Sequence, residues 1–146
     1  MKIFLLLVVG LFFGYNDLEN EEGPVIKIQL EGLKDQKGLI GVMIFDQEEG
    51  FPTEKEKAIF SKEYPVKGGT PIIRINDLPP GKYAISLIHD VNGNRDLDKN
   101  FLGVPVEPFG FSGNKSILFG LPKFEEAAFE VKEGEVESKI ELIKLL

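Results

Sequence analysis

From Pro24 onward the chain mostly alternates apolar and polar residues with a period of two. Ile26, Ile28 and Leu30 take turns with Lys27, Gln29 and Glu31, which is the pattern of a strand with one buried face. Leu39 to Phe45 is apolar and β-branched on both faces and predicts a central strand. Lys34 to Gly38 carries turn chemistry, and Asp46 to Gly50 breaks the run that precedes it. Thr53 to Phe60 predicts one or two helical turns, with Thr53 as N-cap and Glu56 at the capping-box position. Pro71 to Ile75 reads as a strand. Leu78-Pro79-Pro80-Gly81 is a tight turn. Lys82 to His89 is a strand with Tyr83, Ile85, Leu87 and His89 on one face. Asp90 to Asn100 is polar and loop-like, and Phe101 to Phe119 is rich in Gly and Pro with little periodicity. Phe124 to Ala128 predicts a single helical turn. Ala128 to Val131 and Val136 to Leu145 predict strands around a hairpin turn at Glu133-Gly134. About seven strands joined by Gly/Pro turns make this an all-β chain, a β-sandwich in one domain.

The first residues follow a different rule. Met1-Lys2 is followed by an apolar run from Ile3 to Phe13, interrupted only by Gly10. One positive charge and a short apolar run are the n- and h-regions of a secretory signal peptide. The run is shorter than the roughly 20 residues of a membrane span. Residues 1–16 are therefore expected to be the signal peptide, 17–23 an acidic flexible lead-in, and 24–146 the sandwich. The alternatives are an uncleaved anchor or a buried strand. Export places the chain in the periplasm or outside the cell, with a partner in the envelope or the extracellular space.

Composition narrows the chemistry. The chain has 146 residues, no Cys, no Trp and one His, with 24 Asp+Glu against 17 Lys+Arg. Without Cys there are no disulfides, thiol nucleophiles or thiolate metal sites. One His excludes multi-histidine metal centres. The formal charge of -7 argues against a nucleic-acid partner, which calls for a basic face.

Oxygen-bearing side chains stand at every second position from Asp90 to Asp98: Asp90, Asn92, Asn94, Asp96 and Asp98. Ca²⁺ takes six to eight oxygens, and a tightly wound loop turns alternate side chains toward one point. Asp90, Asn92, Asn94 and Asp98 map onto the first, third, fifth and ninth positions of a calcium loop, with the Asp96 carbonyl at the seventh. Arg95 stands at the sixth, where a sharp turn calls for Gly. Phe101 stands at the twelfth, where a carboxylate is expected, and Glu107 is the nearest replacement. The other reading is an Asx-rich loop whose side chains cap its own amides.

His89 adjoins Asp90, but neighbours on a strand point to opposite faces. The one Gly-flanked serine, Ser112, lacks the strand-turn-helix setting of a nucleophile elbow. Six of the twelve Phe, at 101, 109, 111, 119, 124 and 129, fall where regular structure is weakest. They read as a long crossover anchoring itself over one end of the sandwich, or as a ring surface for a glycan or peptide.

A set of short strings carries a resemblance. They are Gly32-Leu33, Lys37-Gly38, Val42 to Asp46, Gly50-Phe51, Lys67-Gly68-Gly69, Asp77 to Ala84, His89-Asp90, Asn92-Gly93-Asn94, Leu97-Asp98, Asn100 to Pro105, Glu107 to Ser112 and Phe124 to Phe129. Together they resemble the bacterial exported proteins of domain-of-unknown-function family 2141. The resemblance implies an immunoglobulin- or transthyretin-like sandwich behind a signal peptide, and brings no activity with it. Where that family often has Gly and a basic residue after Asn94, this chain has Arg95 and Asp96.

The functional expectation is an exported, non-enzymatic binding or interaction module with a calcium-type loop at 90–98. A hydrolase using His89 with Asp90, Asp96, Asp98 or Glu107 is the alternative, and a purely structural envelope domain is another.

Overall fold

Alternation in Ile26, Ile28 and Leu30 places three branched side chains on one face of strand β1 (Val25–Glu31), all essentially without solvent contact. Each such side chain contributes about 1.5–3 kcal/mol on leaving water. The same rule builds β4 (Ile72–Ile75) and β8 (Glu135–Glu141), while β2 (Leu39–Phe45) and β5 (Gly81–Asp90) are buried on both faces over most of their length, with β3 (Phe60–Pro65), β6 (Phe109–Phe111), helix α1 (Phe124–Ala127) and β7 (Phe129–Val131) completing the order. The computed structural model describes residues 23–69 and 72–146. The expected signal peptide and nearly all of the lead-in lie outside the described residues, as does Pro71.

Two sheets face each other. One has the order β4-β1-β8, the other β3-β2-β5-β6, with β7 added at the start of β5. Ile26, Ile28, Leu30, Ile73, Ile75 and Ile140 from the first meet Ile40, Val42, Ile44, Tyr83, Ile85 and Leu87 from the second in one core. The chain is all-β, as its periodicity predicts. The outer face of the larger sheet is also covered. Met43, Phe45 and Ala84 there pack against Phe124 and Ala127 of α1, and Phe51 sets its ring edge-on to Phe45, Phe111 and Phe124. Among the described residues no helix is long and apolar enough to cross a membrane.

Two expectations are corrected. The helical turns expected over Thr53–Phe60 shrink to one 3₁₀ turn, Lys55–Lys57, with no side-chain cap. Phe60 instead opens β3, because the free edge of β2 pairs with it from Ile44↔Phe60 to Leu39↔Pro65. The turn at Glu133-Gly134 does not close a hairpin. β7 pairs with β5, while β8 pairs in parallel with β1, so the turn carries the chain from one sheet to the other. Eight strands stand among the described residues where about seven were expected.

Candidate functional site

The loop from Asp90 to Asp98 begins where β5 leaves its sheet. Its first residue is fixed on both sides. Leu39 pairs with Asp90 across the ladder, and the turn ending at Gly38 lies against the Asp90-Val91 backbone. A Cβ at Gly38 would stand 2.1 Å from the Asp90 carbonyl oxygen, and its φ of +83° is one that glycine tolerates.

Asp90 is 6% exposed and organises the loop. One carboxylate oxygen accepts the amides of Gly93 at 2.7 Å and Asn94 at 3.2 Å, and the other accepts that of Arg95 at 2.7 Å. The next oxygens repeat the device. Asn92 Oδ1 accepts the Asn94 amide at 3.0 Å, and Asn94 Oδ1 accepts the Asp96 amide at 2.9 Å. Both asparagine Nδ2 groups donate to the Asp98 carboxylate. Alternate side chains thus turn into the loop, and Asp90, Asn92, Asn94 and Asp98 are joined in one network. Asp96 turns its carboxylate to the Leu97 amide instead, at 3.0 Å.

Glu107 closes the loop from outside its sequence. It is 5% exposed, with one oxygen on the Val91 amide at 3.0 Å and the other on the Asp98 amide at 3.2 Å. It therefore holds both ends of the loop. Burial pushes its carboxyl above the usual glutamate range, and the negative charges of Asp90 and Asp98 push the same way, against the two backbone amides that favour the ion.

Arg95 takes a φ of +66°, the left-handed conformation that the sixth position of a calcium loop requires. Its guanidinium turns away to pair with Glu63 of β3 at 2.9 Å. Phe101, at the twelfth position, is 95% exposed and supplies nothing to the loop. Among the described residues no three His, Asp or Glu side chains converge closely enough to hold a metal by themselves. A cation here would have to draw on the asparagine oxygens and the Asp96 carbonyl as well. That donor set is hard and all-oxygen, of the type that suits Ca²⁺.

His89 lies on the other face of β5, fully buried. Its Nε2 stands 2.8 Å from the Lys37 carbonyl, which only accepts, so Nε2 carries the hydrogen. Nδ1 has no partner. The structure does not bring His89 to the carboxylates of the loop. A cavity of about 100 Å³ beside the loop is lined by Asp90, Asp96, Arg95 and Glu63 together with apolar residues of β2, and not by His89.

The phenylalanines divide. Phe109, Phe111 and Phe124 are buried and Phe129 half-buried, but Phe101 and Phe119 are 95% and 100% exposed, against the expectation that all six anchor the crossover. Beside the buried rings, Ser112 also anchors it. Its hydroxyl donates to the Ala127 carbonyl at 2.6 Å and accepts the Ile85 amide at 2.8 Å, tying β6 to α1 and β5. Nothing in the local sequence signals that role, nor the pairing of Arg95 with Glu63.

A family model described as "Uncharacterized protein conserved in bacteria (DUF2141)" matches residues 28–139. No curated protein and no solved structure matches the chain.

Proposed function

We propose that this chain, which belongs to the bacterial family matched above, is an exported, non-enzymatic binding or interaction module whose organised site is the loop Asp90–Asp98. In this reading a hard cation of the calcium type settles the loop. The oxygens of Asp90, Asn92, Asn94 and Asp98 and the carbonyl of Asp96 hold it, with Glu107 behind the loop. The cation supplies fixed positive charge where Asp90, Asp98 and Glu107 otherwise repel one another. Export rests on the charged start and apolar run of residues 1–13.

One observation supports the reading: the oxygen-bearing side chains of Asp90, Asn92, Asn94 and Asp98 turn into one loop around a left-handed Arg95, although the amides they accept equally make a self-capped Asx loop. Asp90 gathers three successive amides, and Arg95 holds a left-handed φ although it is not glycine. Rigid sheets with function on the loops between them are the usual division of labour.

Calorimetric titration of the full chain with CaCl₂, paired with thermal melts in chelator and in calcium, tests it. At an affinity of about 10⁻⁴ M, the tighter end of the range for extracellular calcium modules, a hundredfold excess stabilises by about 2.7 kcal/mol. Binding heat and a matching rise in Tm are expected. No heat up to millimolar calcium, with no effect of chelator on Tm, ends the calcium reading.

A further inference from the structure

A second surface stands apart from the loop. Two four-residue turns, 100–103 and 117–120, are closed by the Gly103 amide on the Asn100 carbonyl at 2.9 Å and the Gly120 amide on the Ile117 carbonyl at 3.1 Å. The central positions of such turns project furthest into water and ordinarily carry Gly, Pro, Asn, Asp or Ser. Here they are Phe101-Leu102 and Leu118-Phe119, exposed by 95%, 71%, 85% and 100%. The first turn is held rigidly, since Asn100 Oδ1 also accepts the amides of Leu102 and Val104. Both turns border one apolar cavity of about 520 Å³, floored by Met43, Ile88, Phe109 and Phe111.

The charges around the turns oppose those of the whole chain. Between residues 99 and 123 the charged residues are Lys99, Glu107, Lys115 and Lys123. The three lysines are exposed and the glutamate is buried. Within this stretch of a chain of formal charge -7, every exposed charge beside the four most exposed apolar side chains among the described residues is thus cationic, with the acids Asp96, Asp98, Glu125 and Glu126 lying outside it.

We propose that these two turns dock the domain on an anionic lipid bilayer, with Phe101, Leu102, Leu118 and Phe119 entering the acyl region and Lys99, Lys115 and Lys123 at the headgroups. Exposed apolar groups of this extent mark an interaction surface. The shape favours lipid over a protein partner. The four side chains sit at the tips of two separate projecting turns, where lipid surrounds each without shape complementarity, and the lysines match acidic headgroups.

The chain has no Trp, so Phe101→Trp and Phe119→Trp each place one fluorophore on a turn of the full-length protein. Glu133→Trp, next to the residue whose carbonyl meets the start of β1 (Gly134 to Val25, 3.0 Å), is the control for attachment through the N-terminal segment. With phosphatidylglycerol–phosphatidylcholine vesicles containing brominated lipid, both turn variants are expected to shift to shorter wavelength and to be quenched, less at high salt. The control stays unquenched. Replacing all four apolar residues by Ser weakens vesicle partitioning roughly tenfold or more, since each buried methylene counts, with an unchanged far-UV spectrum. Three results overturn the proposal. The turn variants fail to quench, only the control quenches, or the emission shift appears with concentration and without vesicles, which assigns the turns to a second copy. Equal quenching on pure phosphatidylcholine overturns the anionic part.

Discussion

Removal of the Glu107 carboxylate is the most demanding test of how the loop is held. In Glu107→Ala the amides of Val91 and Asp98 lose their acceptors together. An amide left unpaired away from water costs about 1–3 kcal/mol. Both residues keep partial solvent contact, so their combined loss lies near the lower end, about 2–4 kcal/mol. The opposing effect is the carboxylate itself, desolvated and facing Asp90 and Asp98, whose removal returns part of that sum. A net loss of about 2 kcal/mol follows, or a fall in Tm of about 6–10 °C for a domain of this size. The pH dependence fixes the sign independently. The folded carboxyl binds its proton more tightly than the unfolded one, whose ordinary value is 4.5. Its contribution is therefore complete below that value and declines as pH rises through the raised folded value. Melts of parent and variant by circular dichroism, in chelator, should show the gap in stability widest in mild acid and narrower at neutral pH. A gap that widens as pH rises, or a Tm unchanged by the substitution, refutes the account of Glu107 as the clamp of the loop.

Asp90→Ala should lower Tm by a similar amount and abolish any calcium-dependent rise, because three amides lose one carboxylate; a calcium response that survives contradicts this, and paired melts decide it. Arg95→Gly relieves a left-handed φ worth about 1–2 kcal/mol and gives up an exposed ion pair worth about 0–1 kcal/mol, so chemical denaturation should find the variant equal or slightly more stable. Ser112→Ala leaves the Ile85 amide and the Ala127 carbonyl unpaired in the interior, and a loss of about 2–4 kcal/mol in urea unfolding is expected. Gly110→Ala places a Cβ 2.6 Å from the Glu141 carbonyl oxygen and should reduce folded yield and Tm.

The sequence made the core strands legible because their periodicity reports a buried face directly. Ile26 to Leu30 follow that rule residue by residue, whereas Tyr83 to His89 is buried on both faces, with Ala84 and Ser86 covered as well. Phe60–Pro65 did not, since an edge strand with solvent on most of its side chains alternates poorly. Phe109–Phe111 is too short for any period to emerge. The turn at Glu133-Gly134 was visible, but its partners were not, because the parallel β1–β8 ladder joins residues from opposite ends of the domain. At the site, the alternate oxygens from Asp90 to Asp98 gave the loop. Glu107 stood out only as the nearest carboxylate, and its place on the Val91 and Asp98 amides depends on how the chain returns. The exposure of Phe101 and Phe119 ran against hydrophobicity, yet each stands in an apolar doublet just before a glycine, which is a trace of the turn.

The parallel ladder between β1 and β8 also has a mechanical meaning. All seven residues of β1 are paired in register with β8, from Val25↔Glu135 to Glu31↔Glu141. Tension applied at the start of β1 and the end of β8 runs along both strands in opposite directions. The hydrogen bonds between them are then loaded together in shear, and none can open before its neighbours. A domain tethered at its two ends would carry tensile load through this one seam. In single-molecule pulling it should rupture in one abrupt step, where a seam of antiparallel terminal strands would unzip bond by bond.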